Sequence, residues 1–96
     1  MENKPTNPSI LEEASAIIYG DREQTYGKPD KNLDVIAKYW HNHLYARYGV
    51  VVKIDIEDVA IMMTLLKLAR LSNTPNHRDS MVDACGYLAL IERCNK

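Results

Sequence analysis

Three groups of residues in this sequence have types and spacings that suit the binding of a phosphate ester. The first group lies in the segment 20–29, which exceeds the usual connection of about 4–6 residues and carries two glycines and a proline. Arg22 offers a planar fork of donors for phosphate, Tyr26 offers a stacking face for a base, and Gly27 lets a ligand approach the backbone. Taken alone, the segment fits a solvated turn somewhat better, with Arg22 paired to Asp21 or to a nearby glutamate.

The second group is a pair of cations, Lys67 and Arg70, on the third predicted helix. Residues three apart share a helix face, and both cations follow the uncharged stretch 59–66. The pair is therefore placed to hold an anion beside an apolar surface. An alternative stays open, because cations in the last turn of a helix also interact favourably with its dipole.

The third group is a polar stripe on the last predicted helix, formed by Asp79, Asp83 and Tyr87 at i, i+4 and i+8. Asp79 lies near the helix N-terminus, where a carboxylate is favourable. Asp83 lies mid-helix among apolar neighbours, where aspartate is a poor helix former and an unpaired buried carboxylate is costly. It therefore needs a partner, either a metal or one of three cations, namely Lys67, Arg70 and Arg22. A salt bridge without any ligand is the structural alternative.

Two residues near this stripe extend the candidate site. Gly86 lies about one turn after Asp83 and costs roughly 1 kcal/mol relative to alanine, which indicates close approach of another helix or of a ligand. His77 precedes the stripe, where it is placed either to donate to a phosphate or to cap the helix. The candidate ligand-binding residues are therefore Arg22, Tyr26, Gly27, Lys67, Arg70, His77, Asp79, Asp83 and Tyr87.

Spacings typical of metal sites are sparse. His41 and His43 lie two apart on a helix and so face different ways, and no zinc motif is present. If the protein is a hydrolase, the carboxylates available for Mg²⁺ are those of Glu12, Glu13, Asp79 and Asp83. Otherwise we expect no required cofactor and no catalytic residue.

Four predicted helices position these residues in a single helical domain, 9–96, which follows a flexible polar tail, 1–8. The first helix begins at Ser9, whose spacing to Glu12 is that of a capping box, and Gly20 is its expected end. The remaining boundaries are expected at Asp30 and Gly49, at Asp55 and Ser72, and at Asn76 and Cys94. Four helices joined by short turns predict an antiparallel four-helix bundle.

Composition restricts the classes of partner. The formal net charge of -1 argues against DNA or RNA, because binding to nucleic acid needs a basic surplus. No stretch is apolar and long enough to span a bilayer, and the N-terminus is not a signal peptide, so we expect a cytoplasmic protein with no membrane partner. The uncharged stretch 59–66 favours a homo-oligomer, and the tyrosines at 39, 45 and 48 are expected in the core or in such an interface.

From 10 to 91, the chain resembles an uncharacterised family of small phage-encoded proteins. The motifs that carry the resemblance are Arg22-x-x-x-Tyr26-Gly27, Lys67-x-x-Arg70-Leu71 and His77-x-Asp79-Ser80-x-x-Asp83-x-x-Gly86-Tyr87. That family is distantly similar to the all-α nucleoside triphosphate pyrophosphatases of the MazG type, which are oligomeric. Those enzymes place carboxylates from an E-x-x-E helix and an E-x-x-D helix around nucleotide-bound magnesium. The resemblance implies a MazG-like fold, a nucleotide site and, for a phage protein, the host cytoplasm.

The metal cage of those enzymes carries over only in part. Position 16 is alanine where the first acidic pair needs a second glutamate, and position 80 is serine where an E-x-x-D pair ending at Asp83 needs a glutamate. Hydrolysis in such a site depends on metal-polarised phosphate and an activated water. An incomplete cage beside phosphate-binding cations therefore favours binding without turnover.

Three functions are compatible with these patterns. The first is a phage-type protein that sequesters a phosphate-bearing host immune signal, of the cyclic or ADP-ribose type, without cleaving it. The second is a magnesium-dependent (deoxy)nucleoside triphosphate pyrophosphohydrolase. The third is a non-catalytic protein-interaction module in which 59–66 binds a partner or a second copy of the chain and the polar stripe is a buried network.

Overall fold

The computed structural model describes residues 8–21 and 28–94, and within these ranges the chain forms four α-helices and no strand. The helices are α1 (Ile10–Ala16), α2 (Pro29–Tyr48), α3 (Ile56–Asn73) and α4 (Arg78–Cys94). A π-helical turn, Ile17–Asp21, directly continues α1. The all-α fold class is therefore confirmed, while the predicted tail, 1–8, lies almost entirely outside the described residues.

The start of α1 has the predicted capping box. Ser9 Oγ accepts a hydrogen bond from the N–H of Glu12 at 3.1 Å, and Glu12 Oε1 accepts one from the N–H of Ser9 at 2.8 Å. Two N–H groups that lack partners inside the helix are thereby satisfied. The end of the helix differs from the prediction, because the backbone changes to π geometry at Ile17 and continues through Gly20.

The starts of α2 and α3 show one wrong prediction and one confirmed prediction. Lys28, not Asp30, is the N-cap of α2, and Pro29 occupies its first turn. Proline is well suited to that position, because its fixed φ is helical and it brings no unpaired N–H. Asp55 caps α3 as predicted, and its N–H donates to Oδ2 of Asp58 at 2.9 Å.

The end of α2 is also as predicted. Gly49 has a φ of 67°, in the left-handed region that favours glycine, and its N–H donates to the Tyr45 carbonyl at 2.9 Å. A linker without regular secondary structure follows. His41 Nδ1 donates to the Val52 carbonyl at 2.8 Å, which ties this linker back to α2.

The connection between α3 and α4 begins later than the predicted turn, because α3 continues to Asn73. The prediction that Asn76 caps α4 is wrong. Helix α4 begins at Arg78, and His77 takes the capping position, where its Nδ1 accepts from the N–H of Ser80 at 3.3 Å. An imidazole nitrogen thus supplies the acceptor that we expected from an asparagine side chain.

The core lies where the π-helical turn, α2, α3 and α4 meet, and α1 packs against α4. Helices α3 and α4 form the most extensive pair, and their short connection makes them antiparallel. The buried members of the core are Ile18, Leu33, Ala37, Val59, Ala60 and Leu90. Within the described ranges, no helix is long and apolar enough to cross a membrane.

Two faces of the helices leave apolar residues in solvent. Tyr39, Tyr45 and Tyr48 on α2 are 58–69% exposed, so they do not belong to the core, and their alternative place in an interface stays a prediction. Helix α3 buries one side, including Val59 and Ala60, and exposes the other. The expected central position of α3 therefore applies to one side only, and its role in an interface stays a prediction.

Candidate functional site

A cavity of about 400 Å³ lies between α1 with its π-helical turn, α3 and α4, and we call it the Lys67 cavity. Its polar groups are Lys67 from α3 and Asp83 and Tyr87 from α4, and Gly86 lies between the latter two. Its apolar wall consists of Ala14, Ile17, Ile18, Val82 and Leu90. The volume falls in the range of small-molecule sites, about 300–1,000 Å³. Four residues that the sequence singled out therefore share one cavity.

Lys67 and Asp83 form a salt bridge in this cavity. Nζ of Lys67 lies 3.1 Å from Oδ2 of Asp83, and the two side chains are 12% and 41% exposed. Asp83 thus has one of the three cationic partners expected for it, but it is half-buried, not enclosed. Because water reaches the carboxylate, the pair contributes at most about 1 kcal/mol to stability. The Lys67 side chain is the more buried of the two.

Gly86 lies opposite the π-helical turn. A Cβ placed on Gly86 would meet Ile18 Cγ1 at 3.9 Å and Cδ1 at 4.0 Å, which are ordinary contact distances. The element opposite Gly86 is therefore the π-helical turn, but it does not approach closely enough to require glycine. The contact leaves room for a methyl group without displacement of Ile18.

We expect Gly86→Ala to raise the free energy of unfolding by about 0.5–1 kcal/mol, because alanine is the better helix former and its methyl group fits. The corresponding rise in Tm is roughly 2–8 °C for a domain of this size. The same substitution at Gly49 is the matched control, and there we expect destabilisation because φ is 67°. Thermal denaturation followed by circular dichroism measures both changes. A lower Tm for Gly86→Ala would contradict this account of the contact.

The carboxylates of α1 have other partners and do not line the Lys67 cavity. The backbone N–H of Ser9 and, secondly, its hydroxyl hold the pKa of Glu12 below its ordinary value. Oε1 of Glu13 accepts from Nη2 of Arg78 at 2.8 Å. Asp79 is exposed and also lies outside the cavity. In the part of the chain that the structure describes, no three His, Cys, Asp or Glu residues come together as a metal site.

Arg70 and His77 lie in a different cavity from Lys67. This second cavity, of about 410 Å³, is at the α3–α4 connection and also includes Leu66, Ala69, Asn73 and Thr74. Three residues along a helix correspond to about 4.5 Å of rise and a rotation of about 60° from the starting side. Arg70 therefore points to a different side of α3 from Lys67 and lies closer to the α3–α4 connection. The single site predicted from sequence is therefore divided into two.

Three of the predicted ligand-binding residues, Arg22, Tyr26 and Gly27, lie outside the described residues. In the sequence they directly follow the π-helical turn, two of whose residues line the Lys67 cavity. Their proximity to the Lys67 cavity is therefore inferred from their position in the sequence alone.

Sequence reasoning missed two arginines that attach the first helical segment to α4. Arg78 donates to Glu13 through Nε and Nη2 at 3.1 and 2.8 Å. Arg93 donates from Nη1 to the Ile18 carbonyl, and its guanidinium lies 5.1 Å from the centre of the Tyr19 ring. Partners 65 and 75 positions apart give no local pattern in the sequence.

Comparison with known proteins found phage relatives of this chain. It is 42% identical over 85 residues to the Gene 55 protein of Mycobacterium phage D29 and 41% identical over 85 residues to the Gene 55 protein of Mycobacterium phage L5. Each match covers 88% of this chain and 52% or 51% of the relative, so the chain spans about half the length of these curated relatives. No solved structure matches the chain. The family model for the domain of unknown function DUF6378 matches residues 9–95, and the chain belongs to this family, which includes small phage proteins.

Proposed function

We propose that this protein binds a phosphate-bearing nucleotide in the Lys67 cavity and holds it without cleaving it. The observation that carries the proposal is the Lys67 side chain, which is only 12% exposed and lies in a cavity of about 400 Å³ with an apolar wall. A cation with restricted access to water binds phosphate more strongly than an exposed one, because screening is weaker. The apolar wall and the Tyr87 ring suit the ribose and the base.

The charge balance of the cavity calls for a second cation. Asp83 neutralises Lys67 at 3.1 Å, so an entering phosphate meets a pair with no net charge. We propose that Arg22 supplies the missing charge, since it follows the π-helical turn by one residue and its guanidinium suits bidentate contact with phosphate. This role is inferred from chain order and residue chemistry.

Binding without turnover is supported by the contacts of the candidate metal ligands. Glu12 is part of the α1 cap, Glu13 pairs with Arg78, and Asp79 is exposed away from the cavity. The alternative function is the magnesium-dependent pyrophosphohydrolase of the MazG type. It is favoured by Asp83, which lines the cavity and offers a carboxylate to nucleotide-bound Mg²⁺.

For the biological role, we propose sequestration of a cyclic or ADP-ribose-type nucleotide with which the host signals infection. The support is the relatives, which are encoded by mycobacteriophages. A protein that binds such a signal tightly lowers its free concentration without needing to destroy it. This biological role depends on the proposed nucleotide site, and it adds the kind of nucleotide and the reason for binding it.

A thermal-shift screen with and without Mg²⁺ tests the proposal. The panel contains nucleoside mono-, di- and triphosphates, cyclic dinucleotides and ADP-ribose. At a concentration of 100 times its Kd, a ligand adds about 2.7 kcal/mol to the free energy of unfolding, which raises Tm by roughly 10–20 °C. We expect such a shift without Mg²⁺ and recovery of the intact ligand after heat denaturation.

Two other outcomes would overturn the proposal in different ways. Release of pyrophosphate that requires Mg²⁺ would establish the hydrolase. No shift with any member of the panel would leave a non-catalytic interaction module as the function.

A further inference from the structure

The outward side of α3 carries five large aliphatic side chains within eight residues. Their exposed fractions are 45–56%, and they are Ile61, Met62, Leu65, Leu66 and Leu68. Monomeric soluble proteins expose single apolar residues routinely, but contiguous apolar patches of this kind mark interaction surfaces. We call these five residues the α3 face.

The α3 face is a continuous helical stripe with polar ends. At 100° per residue, Leu65 and Ala69 point along its centre, and Lys67 points to the opposite side, into the Lys67 cavity. Asp58 lies at its N-terminal end and is exposed, and Arg70 flanks its C-terminal end and is also exposed. No charged residue lies between Asp58 and Lys67 in the chain. The stripe therefore has an acidic residue at one end and a basic residue beside the other end, about 100° around the helix from Ala69.

We propose that two copies of this chain associate through their α3 faces, with the two α3 helices antiparallel. A two-fold axis through the centre of the stripe makes such an interface isologous, so each face packs on an identical face. That axis also places Asp58 of each copy beside the partner's Arg70 at both ends of the interface. The apolar side chains leave water together, and no charge is buried without a partner.

The charges of the stripe select this orientation over the parallel one. In a parallel pair, Asp58 would face the partner's Asp58 and Arg70 would face the partner's Arg70. Like charges placed together at an interface are unfavourable, whereas opposite charges fix the register. The proposal also gives Arg70 a role that fits its position outside the Lys67 cavity. It is independent of the proposed nucleotide site, because it needs no ligand.

Sedimentation equilibrium of the purified protein, without nucleotide, tests the association. We expect a dimer, or an even-numbered assembly that contains this dimer, and we expect Leu65→Glu to dissociate the α3 contact. Leu11→Glu is the matched control, because Leu11 is 72% exposed on α1 and lies outside the α3 face. Circular dichroism confirms that both variants remain helical. A monomeric wild-type protein, or an assembly that Leu65→Glu leaves unchanged, would overturn the proposal.

A charge exchange tests the antiparallel orientation. Asp58→Arg and Arg70→Asp are each expected to raise the dimer dissociation constant on the order of tenfold, because each creates two like-charged pairs. The double variant is expected to restore association. Asp58 also accepts a hydrogen bond from the N–H of Asp55. The Asp58→Arg variant and the double variant both lose this capping contact. If the double variant associates more tightly than Asp58→Arg alone, the gain therefore comes from the exchanged charge pair. Association that stays weak in the double variant would overturn the antiparallel arrangement.

Discussion

Replacing Lys67 with methionine is expected to weaken nucleotide binding about 10- to 100-fold. Hydrogen bonds to charged groups contribute about 1.5–3 kcal/mol, and each 1.4 kcal/mol is a factor of ten in Kd. Methionine has a similar unbranched shape, so the variant removes the ammonium and leaves most of the packing of the Lys67 cavity. Isothermal titration calorimetry with the strongest ligand from the thermal-shift screen measures the change.

The matched control is Lys38→Met. Lys38 also pairs with an aspartate, Asp34, at 2.9 Å, but this pair is on the surface, with side chains 74% and 53% exposed. We expect the control to bind nucleotide like the wild type. Lys67→Met itself is expected to change the free energy of unfolding by no more than about 1 kcal/mol, because Asp83 keeps contact with water. Equal affinities for the two variants would contradict a role of Lys67 in binding.

The helix boundaries that could be predicted are those set by local chemistry. The capping box at Ser9, the left-handed end at Gly49 and the cap at Asp55 each depend on residues within one turn of the boundary. Where two local signals competed, the prediction failed. At the start of α2, the preference of proline for the first helical position overrode the capping preference of Asp30.

The attachment of α1 could not be predicted, because it depends on contacts between distant parts of the chain. Arg78 and Arg93 reach Glu13 and the Ile18 carbonyl across most of the sequence. The backbone around that carbonyl has π geometry, which occurs mostly as single turns within or next to α-helices. The sequence offers no periodicity that indicates this geometry. The wall of the Lys67 cavity is therefore a tertiary feature.

The part of the candidate site that could be predicted is the part in which an energetically unfavourable residue needs a stabilising partner. An aspartate in the middle of a helix needs a partner, and Asp83 has one in Lys67. The grouping of Arg70 and His77 with this pair did not follow from any such cost, and the structure places them at the α3–α4 connection. Lys67 and Arg70 belong to one sequence motif but line two different cavities. The motif does not separate these cavities, because both lie along the same antiparallel pair, α3 and α4.

Asp83→Asn is expected to strengthen nucleotide binding by about two- to fivefold if the protein holds its ligand unchanged. Asparagine keeps the shape of the side chain and removes the negative charge that neutralises the ammonium of Lys67 at 3.1 Å. An ion pair that is still in contact with water contributes about 0.2–1 kcal/mol, and releasing the cation makes this energy available to the phosphate. Repulsion between the carboxylate and the phosphate is removed as well.

The pyrophosphohydrolase predicts the opposite sign for the same variant. There Asp83 is a ligand to Mg²⁺, and asparagine removes the charge that holds the metal, so magnesium-dependent turnover is lost. Asp34→Asn makes the same chemical change in the surface pair of α2 and is expected to alter neither binding nor turnover. Titration calorimetry without Mg²⁺ and a pyrophosphate assay with Mg²⁺ separate the two functions. Weaker binding of nucleotide by a folded Asp83→Asn protein without Mg²⁺ would contradict the expectation that the Asp83 carboxylate competes with the phosphate for Lys67.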